Sequence, residues 1–456
     1  MRHLRPEDEY MLLAHSADSP MQIGGLIQYE RPSGADGAFA AAARAHLAQR
    51  IPATALSSRL VANPGSYDTD AWFGLASPVL DDVVAVVDHG GSMDTRELYE
   101  LVAGEAMRPL DLDGRPPFRI LLIDRINGGR AAMFLQVHHG FADGIGFQSI
   151  VQALSDPTPE PVARPPRYDV DEVVPDEATW RAASDIRFAA EAAARDAIDR
   201  DAAKAALAAF VADGHAPAIS PDLGDLSAPT SKARSYDALT VSLPRVRSIG
   251  RILDGTVNDV FLMICGSAVR ALMLETGRPL PDLPAVALGS RSYRKPEHGD
   301  LGNYIIPIRP TLGTDIADTR ERFDAIRAAA RVERRRSELL EPLITATADG
   351  PFKSRDRRAR HAQAGGGNDP RIGSSVTLSN VPGPDGPLYL AGCLELSNHP
   401  APFLGTGKFL NVTLRRYRDE LDLGVMTDAA KVAEASTISQ LIVGALDELA
   451  ALAGVD

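Results

Sequence analysis

Cysteine is scarce in this chain. Of 456 residues only Cys265 and Cys393 carry a thiol, both in apolar surroundings. That excludes a disulfide framework and a cysteine-built zinc site, and it predicts a reducing, cytoplasmic setting. Positive charge is also in deficit. The 48 Lys and Arg face 61 Asp and Glu, a net charge of −13, which argues against nucleic acid as a partner and disfavours tight binding to anionic membranes. Apolar runs of membrane-spanning length are missing: the longest, Val260-Phe-Leu-Met-Ile-Cys-Gly-Ser-Ala-Val269, ends at Arg270. The N-terminus turns acidic at Pro6-Glu-Asp-Glu9 and has no signal-peptide core. Several catalytic signatures are absent as well. There is no G-x-S-x-G elbow, H-E-x-x-H metal motif, phosphate-binding P-loop or dinucleotide G-x-G-x-x-G. Gly365-Gly-Gly367 follows no strand pattern and reads as loop. Neither a metal site nor a bound cofactor is expected.

What is present is ordinary globular material, 45% hydrophobic and 24% charged, enough for a sizeable core. The length suits two to three domain-sized units or two halves sharing one interface. An α/β pattern runs through both ends. Residues 21–29 predict a strand and 37–50 an Ala-rich helix; 117–124 and 131–138 predict a hairpin across Asn127-Gly-Gly129. A helix over 146–154 runs into the Pro-rich stretch 156–166, the strongest linker signal in the chain. Ala-rich helices follow over 178–213. A second half opens near Tyr236 with a strand over 237–243 and an apolar, buried helix over 257–275. Strands are then expected at 285–289, 304–308, 374–379, 388–396, 409–416 and 421–426, with helices over 315–340 and 436–453. The expected division is 1–155, a crossover of 156–235, and 236–456.

One motif stands out, at the end of the hairpin's second strand: His138-His139-Gly140-Phe141-Ala142-Asp143-Gly144. With only ten histidines in the chain, an adjacent pair here is informative. Successive strand residues face opposite sides, so only one of the two can enter a given cavity. Asp143, four residues beyond His139, can fold back under the loop and fix its shape. Gly144 and Gly146 permit a tight exit into the next helix. A neutral imidazole is a natural general base for an alcohol or thiol attacking an acyl group, because its pKa lies near the working pH.

This heptapeptide resembles the signature of the CoA-dependent acyltransferase superfamily. Further segments, in the right order, are similar to those of the bacterial wax ester synthase/diacylglycerol acyltransferase family. They are Pro109-Leu-Asp-Leu-Asp-Gly-Arg-Pro-Pro-Phe118, Val257-Asn-Asp-Val260, Leu301-Gly-Asn303, Ser379-Asn-Val-Pro-Gly-Pro384, Leu410-Asn-Val-Thr413 and Leu423-Gly-Val-Met-Thr-Asp428. The resemblance implies an α/β fold of two chloramphenicol-acetyltransferase-like sandwich domains, with a tunnel and the active site at their interface. It implies acyl-CoA as co-substrate and an alcohol acceptor. His139 would deprotonate the acceptor for direct attack on the thioester, with no acyl-enzyme. His138 would support it, and Asp143 would orient the loop and pair with an arginine. Arg291 is the candidate for that arginine, or else an ordinary solvated strand end. Asn258, Asp259 and Asn380 are candidates for stabilising the oxyanion or lining the tunnel; they read equally as a helix cap and a rigid turn.

The chain also departs from the family pattern. Phe118 stands where the family has tryptophan, and Arg416-Tyr417 where it has Ser-Tyr. The stretch 351–370 is hydrophilic, basic and Gly-rich, where lipid-making members carry an apolar helical segment. That predicts an acceptor other than diacylglycerol or a long wax alcohol, such as a soluble or specialised metabolite. Lys353, Arg355, Arg357, Arg358 and Arg360 could meet the phosphates of CoA or an acidic acyl carrier protein, or form a solvated face. Three readings stay open: an O-acyltransferase, a condensation-type enzyme with an amine acceptor or carrier-bound donor, and a catalytically silent binding protein.

Overall fold

The computed structural model of the chain describes residues 2–31, 38–65, 68, 70–74, 80–162, 174–345 and 374–455. Its strands are numbered in chain order. Two six-stranded sheets form the frame. The first holds β2 (Gln22–Glu30), β5 (Val84–Val86), β6 (Phe118–Ile126), β7 (Arg130–His138), β12 (Tyr389–Leu390) and β13 (Cys393–Ala401), in the order β12-β13-β2-β7-β6-β5. The second holds β8 (Arg234–Ser242), β9 (Ala287–Ser292), β10 (Ile305–Ile308), β11 (Val376–Val381), β14 (Leu410–Tyr417) and β15 (Glu420–Asp428), in the order β10-β9-β11-β14-β15-β8. A small sheet of β1 (Arg2–His3), β3 (Ser58–Val61) and β4 (Ala71–Gly74) stands apart.

The β6–β7 hairpin forms as its turn chemistry demands. Ile126 pairs with Arg130, and Gly128 and Gly129 take φ of +79° and +69°, a left-handed turn that costs glycine little. Alternation along β7 then sorts the core. Ala131, Met133, Leu135 and Val137 pack with the helices Ala38–Arg50 and Gly144–Leu154, while Ala132 and Phe134 face the helix Thr95–Ala106.

In the second half the helix Val257–Glu275 is the core element, packed with Ala435–Ala453 on the sheet. It has the length and apolarity to cross a membrane, yet 72% of that stretch is buried inside the fold. The described part of the crossover region includes the helices Glu177–Asp196 and Arg200–Ala212.

The first sheet is completed by strands from the far end of the chain. β12 and β13, from beyond residue 388, complete the edge of the first sheet, with β13 antiparallel to β2. The expected single strand at 388–396 is therefore two, split at Ala391 and Gly392, whose φ are +50° and +83°. The sheets also touch backbone to backbone: a Cβ on Gly424 of β15 would stand 1.6 Å from the Pro400 carbonyl oxygen of β13.

Candidate active site

β7 delivers the motif to the seam between the two sheets. His138 pairs with Gln22 of β2, and the ladder runs one step further as the His139 N–H donates to the Met21 carbonyl at 2.8 Å. The Phe141 N–H returns to the His138 carbonyl at 2.9 Å. Asp143 then caps the helix Gly144–Leu154, its Oδ1 accepting from the Gly146 N–H at 2.9 Å. Glycine is required at both motif exits. A Cβ on Gly144 would lie 2.8 Å from Val381 Cγ2, and one on Gly146 would lie 2.2 Å from the Asp300 carbonyl oxygen. Gly146→Ala should therefore destabilise the protein by about 1–3 kcal/mol, as overpacked interiors do. Thermal unfolding tests this; an unchanged Tm would refute the close approach.

Both histidines are held neutral, by different means. His138 is fully buried, and its Nδ1 accepts from the Gly140 N–H at 3.0 Å. The ring proton therefore sits on Nε2, which donates to His15 Nδ1 at 3.1 Å. The Met21 N–H reaches the same His15 nitrogen at 3.3 Å, which marks that atom as the acceptor. Burial, reinforced by His15 and His139, pushes the His138 pKa down to about 3. It acts as a fixed wedge.

His139 presents a different face. Burial lowers its pKa, opposed by its own carbonyl, Asp143, Asn303 and Asp8. Its Nδ1 is buried, and no hydrogen-bond partner lies within reach of that atom. A neutral ring held this way keeps one nitrogen lone pair for a reacting hydroxyl. The ring edge meets Phe403 at 5.5 Å between centroids.

The second half holds this loop from below. Gly302 bridges Ala142 in parallel, its N–H donating to the Phe141 carbonyl at 2.7 Å. Asn303 donates through Nδ2 to the His139 carbonyl at 2.7 Å and to Asp8 Oδ1 at 2.9 Å. Asp8, on the N-terminal helix Pro6–Ala14, also accepts from the Asn303 N–H at 2.7 Å. Leu301-Gly-Asn303 is thus the clamp on the motif loop. Its role, and that of Asp8, could not be read from the chain, where Asp8 is one acid among three.

The arginine that pairs with Asp143 is Arg294, not Arg291. Arg294 Nη2 lies 2.9 Å from Asp143 Oδ1, both side chains buried, while Asp143 Oδ2 accepts from the Tyr304 N–H at 3.0 Å. Arg291 instead meets Glu341 at 2.6 Å and Ser337 on the helix Thr319–Thr345. The reason is position. Arg291 belongs to β9, which turns it onto that helix, whereas Arg294 lies past the strand's end, where the chain bends back toward Gly302.

The other candidates separate. Asp259 is spent on a capping box with Thr256, accepting from its N–H at 2.8 Å and donating its own N–H to Oγ1 at 3.2 Å. Asn380 Nδ2 donates to Asn258 Oδ1 at 3.4 Å, and among the described residues no hydrogen bond joins either to His139. Gly383 of the Ser379–Pro384 segment lets β14 approach: a Cβ there would be 1.5 Å from the Arg416 carbonyl oxygen. Phe118 is a core residue opposite Val137. Lys353, Arg355, Arg357, Arg358 and Arg360 lie outside the described residues.

Two sandwiched α/β sheets with a neutral histidine at their seam define an acyl-transfer fold. The catalytic-domain model of the wax ester synthase/diacylglycerol acyltransferase family matches residues 4–261, and the family's C-terminal-domain model matches 301–450. The chain belongs to this family and is an acyltransferase. It is 26% identical to the O-acyltransferase WSD of Acinetobacter baylyi, over 93% of this chain and 92% of that protein. It is 27% identical to a putative diacylglycerol O-acyltransferase of Mycobacterium bovis, over 92% and 85%. The fold is similar to that of the family member from Marinobacter aquaeolei VT8, with a TM-score of 0.70, 22% identity and all of both chains covered. It is also similar to the first condensation domain of the calcium-dependent antibiotic synthetase, with a TM-score of 0.57 and 17% identity over 99% and 96%.

Proposed function

We propose that this protein transfers an acyl group from CoA to an alcohol by direct attack, with His139 as general base. The observation that carries the reading is the half-buried, neutral His139 at the seam, its loop clamped by Asn303 through the His139 carbonyl. Nε2 takes the proton as the acceptor oxygen bonds the thioester carbonyl carbon. Collapse of the tetrahedral adduct breaks the C–S bond, and the imidazolium returns the proton to the departing CoA thiolate. Asp143 and Arg294 keep the loop in register and do not touch substrate. Acyl-CoA and acceptor reach His139 from opposite sides of the seam, so the nucleophile needs no acyl-enzyme. The polar composition of 351–370 supports an acceptor that is not bulk lipid.

The purified protein mixed with acyl-CoA and a panel of alcohols should release free CoA only when an alcohol is present. Release without any acceptor would overturn this reading. Turnover confined to amines or to a carrier-bound donor would favour the condensation-type alternative.

A further inference from the structure

Asp8, Leu12 and His15 stand four and three residues apart, so they share one face of the N-terminal helix Pro6–Ala14 and its C-cap. All three meet the motif loop. Asp8 Oδ1 accepts from the N–H and the Nδ2 of Asn303, which in turn holds the His139 carbonyl. A Cβ on Gly140 would stand 3.0 Å from both the Asp8 carbonyl oxygen and Leu12 Cγ. His15, half-buried, closes the row. Its ring stacks on that of His138, 5.2 Å between centroids and 27° between planes.

His15 Nδ1 serves two donors. It accepts from His138 Nε2 at 3.1 Å and from the Met21 N–H at 3.3 Å. Met21 then takes the His139 N–H on its own carbonyl at 2.8 Å. The backbone of His139 is therefore gripped from both sides, its N–H by Met21 and its carbonyl by Asn303. The chain between His15 and Met21 is a closed turn, in which Ser16 and Ser19 exchange backbone hydrogen bonds at 3.2 Å in both directions. From that turn Ser19 Oγ donates to the Leu404 carbonyl at 2.6 Å. Leu404 follows Phe403, whose ring meets the His139 ring edge to face.

His138 shows why residue 15 must be an acceptor. The ring is fully buried and its Nδ1 is taken by the Gly140 N–H. An apolar residue 15 would leave the Nε2–H unpaired in the interior, a loss that turning the ring relieves. His139 is the next residue along the same strand end, and the Met21 carbonyl that holds it would loosen at the same time. A general base acts only within hydrogen-bond reach of the proton it removes, and a misplacement of about 1 Å costs roughly 10²-fold in rate.

We infer that His15 is a positioning residue for acyl transfer. Acting through His138 and the Met21 carbonyl, it fixes where the His139 ring stands and does not touch substrate. The inference rests on His139 as the base and names what holds that base in place.

The test uses the full-length protein with octanoyl-CoA and the fastest acceptor among ethanol, 1-hexanol, 1-hexadecanol and glycerol, following free thiol well below the Tm of each variant. His15→Leu should lower kcat by about tenfold or more, while KM for octanoyl-CoA stays within twofold. His15→Asn should recover kcat to within threefold of the unsubstituted protein, because its Oδ1 can accept from both N–H groups that His15 serves. In the His139→Ala background, His15→Leu should change kcat less than twofold, since no base is left to place. A kcat within twofold of the unsubstituted protein for His15→Leu, no recovery in His15→Asn, or a further tenfold loss in the His139→Ala background would each overturn the inference. Where His15→Leu does not fold, His15→Ala takes its place with the same limits. Histidine labelled with ¹⁵N in the ring supplies a readout that needs no turnover. The His139 signals, assigned by their loss in His139→Ala, should shift in His15→Leu and return in His15→Asn. Unmoved signals would sink the inference whichever alcohol reacts. Absence of CoA release with every alcohol, with those shifts in place, would instead sink the acyltransferase reading.

Discussion

His139→Ala should lower kcat for alcohol-dependent CoA release by about 10²–10⁴-fold, the usual contribution of a positioned general base. No neighbour can substitute. His138 is spent between the Gly140 N–H and His15, with a pKa near 3, and Asp143 is already paired with Arg294, Gly146 and Tyr304. The variant should fold, since the loop is held through the backbone carbonyl of residue 139, which Asn303 reaches regardless of the side chain. The same ring sets the acid limb of the pH profile. Burial lowers the His139 pKa below the ordinary 6.5. The neutral base is then fully present at pH 7, and kcat/KM falls only as pH drops through the lowered value. Initial rates between pH 4 and 8 check this; an acid-limb midpoint above 6.5 would contradict the half-buried, neutral base.

Arg294→Ala should be the most destabilising single substitution near the site. The Arg294–Asp143 pair is buried on both sides, and removing one partner of such a pair costs about 3–5 kcal/mol, because the other charge is left unpaired in the interior. Catalysis should fall with it, since Asp143 fixes the turn that carries His139. Arg291→Ala is the internal control. Its partner Glu341 is a third exposed, so the loss should stay within about 1 kcal/mol. Urea unfolding of the two variants decides the assignment, and a larger loss for Arg291→Ala would reverse it.

Much of the frame was legible in the amino-acid sequence because it rests on local rules. The helix Val257–Glu275 runs over the expected residues, since an apolar run after a Thr-x-x-Asp cap specifies both its start and its burial. The β6–β7 hairpin followed from Asn127-Gly-Gly129. The strand β13 was a different matter. Its length could be expected in part, but its partner β2 lies more than 360 positions earlier in the chain, and no local pattern reports such a pairing. The same limit governed Arg291 and Arg294. Two arginines three residues apart look alike until the end of β9 separates their directions.

The sequence by itself determined the chemistry available here: two adjacent histidines at a strand end, an aspartate that caps the next helix, and glycines where backbone must approach backbone. These are properties of neighbours a few residues apart, set by turn geometry and side-chain type. Only the tertiary structure decided which histidine is spent on its neighbours and which arginine answers Asp143. Each depends on desolvation and on contacts between sheets far apart in the chain. Those energies arise only when the two sheets pack.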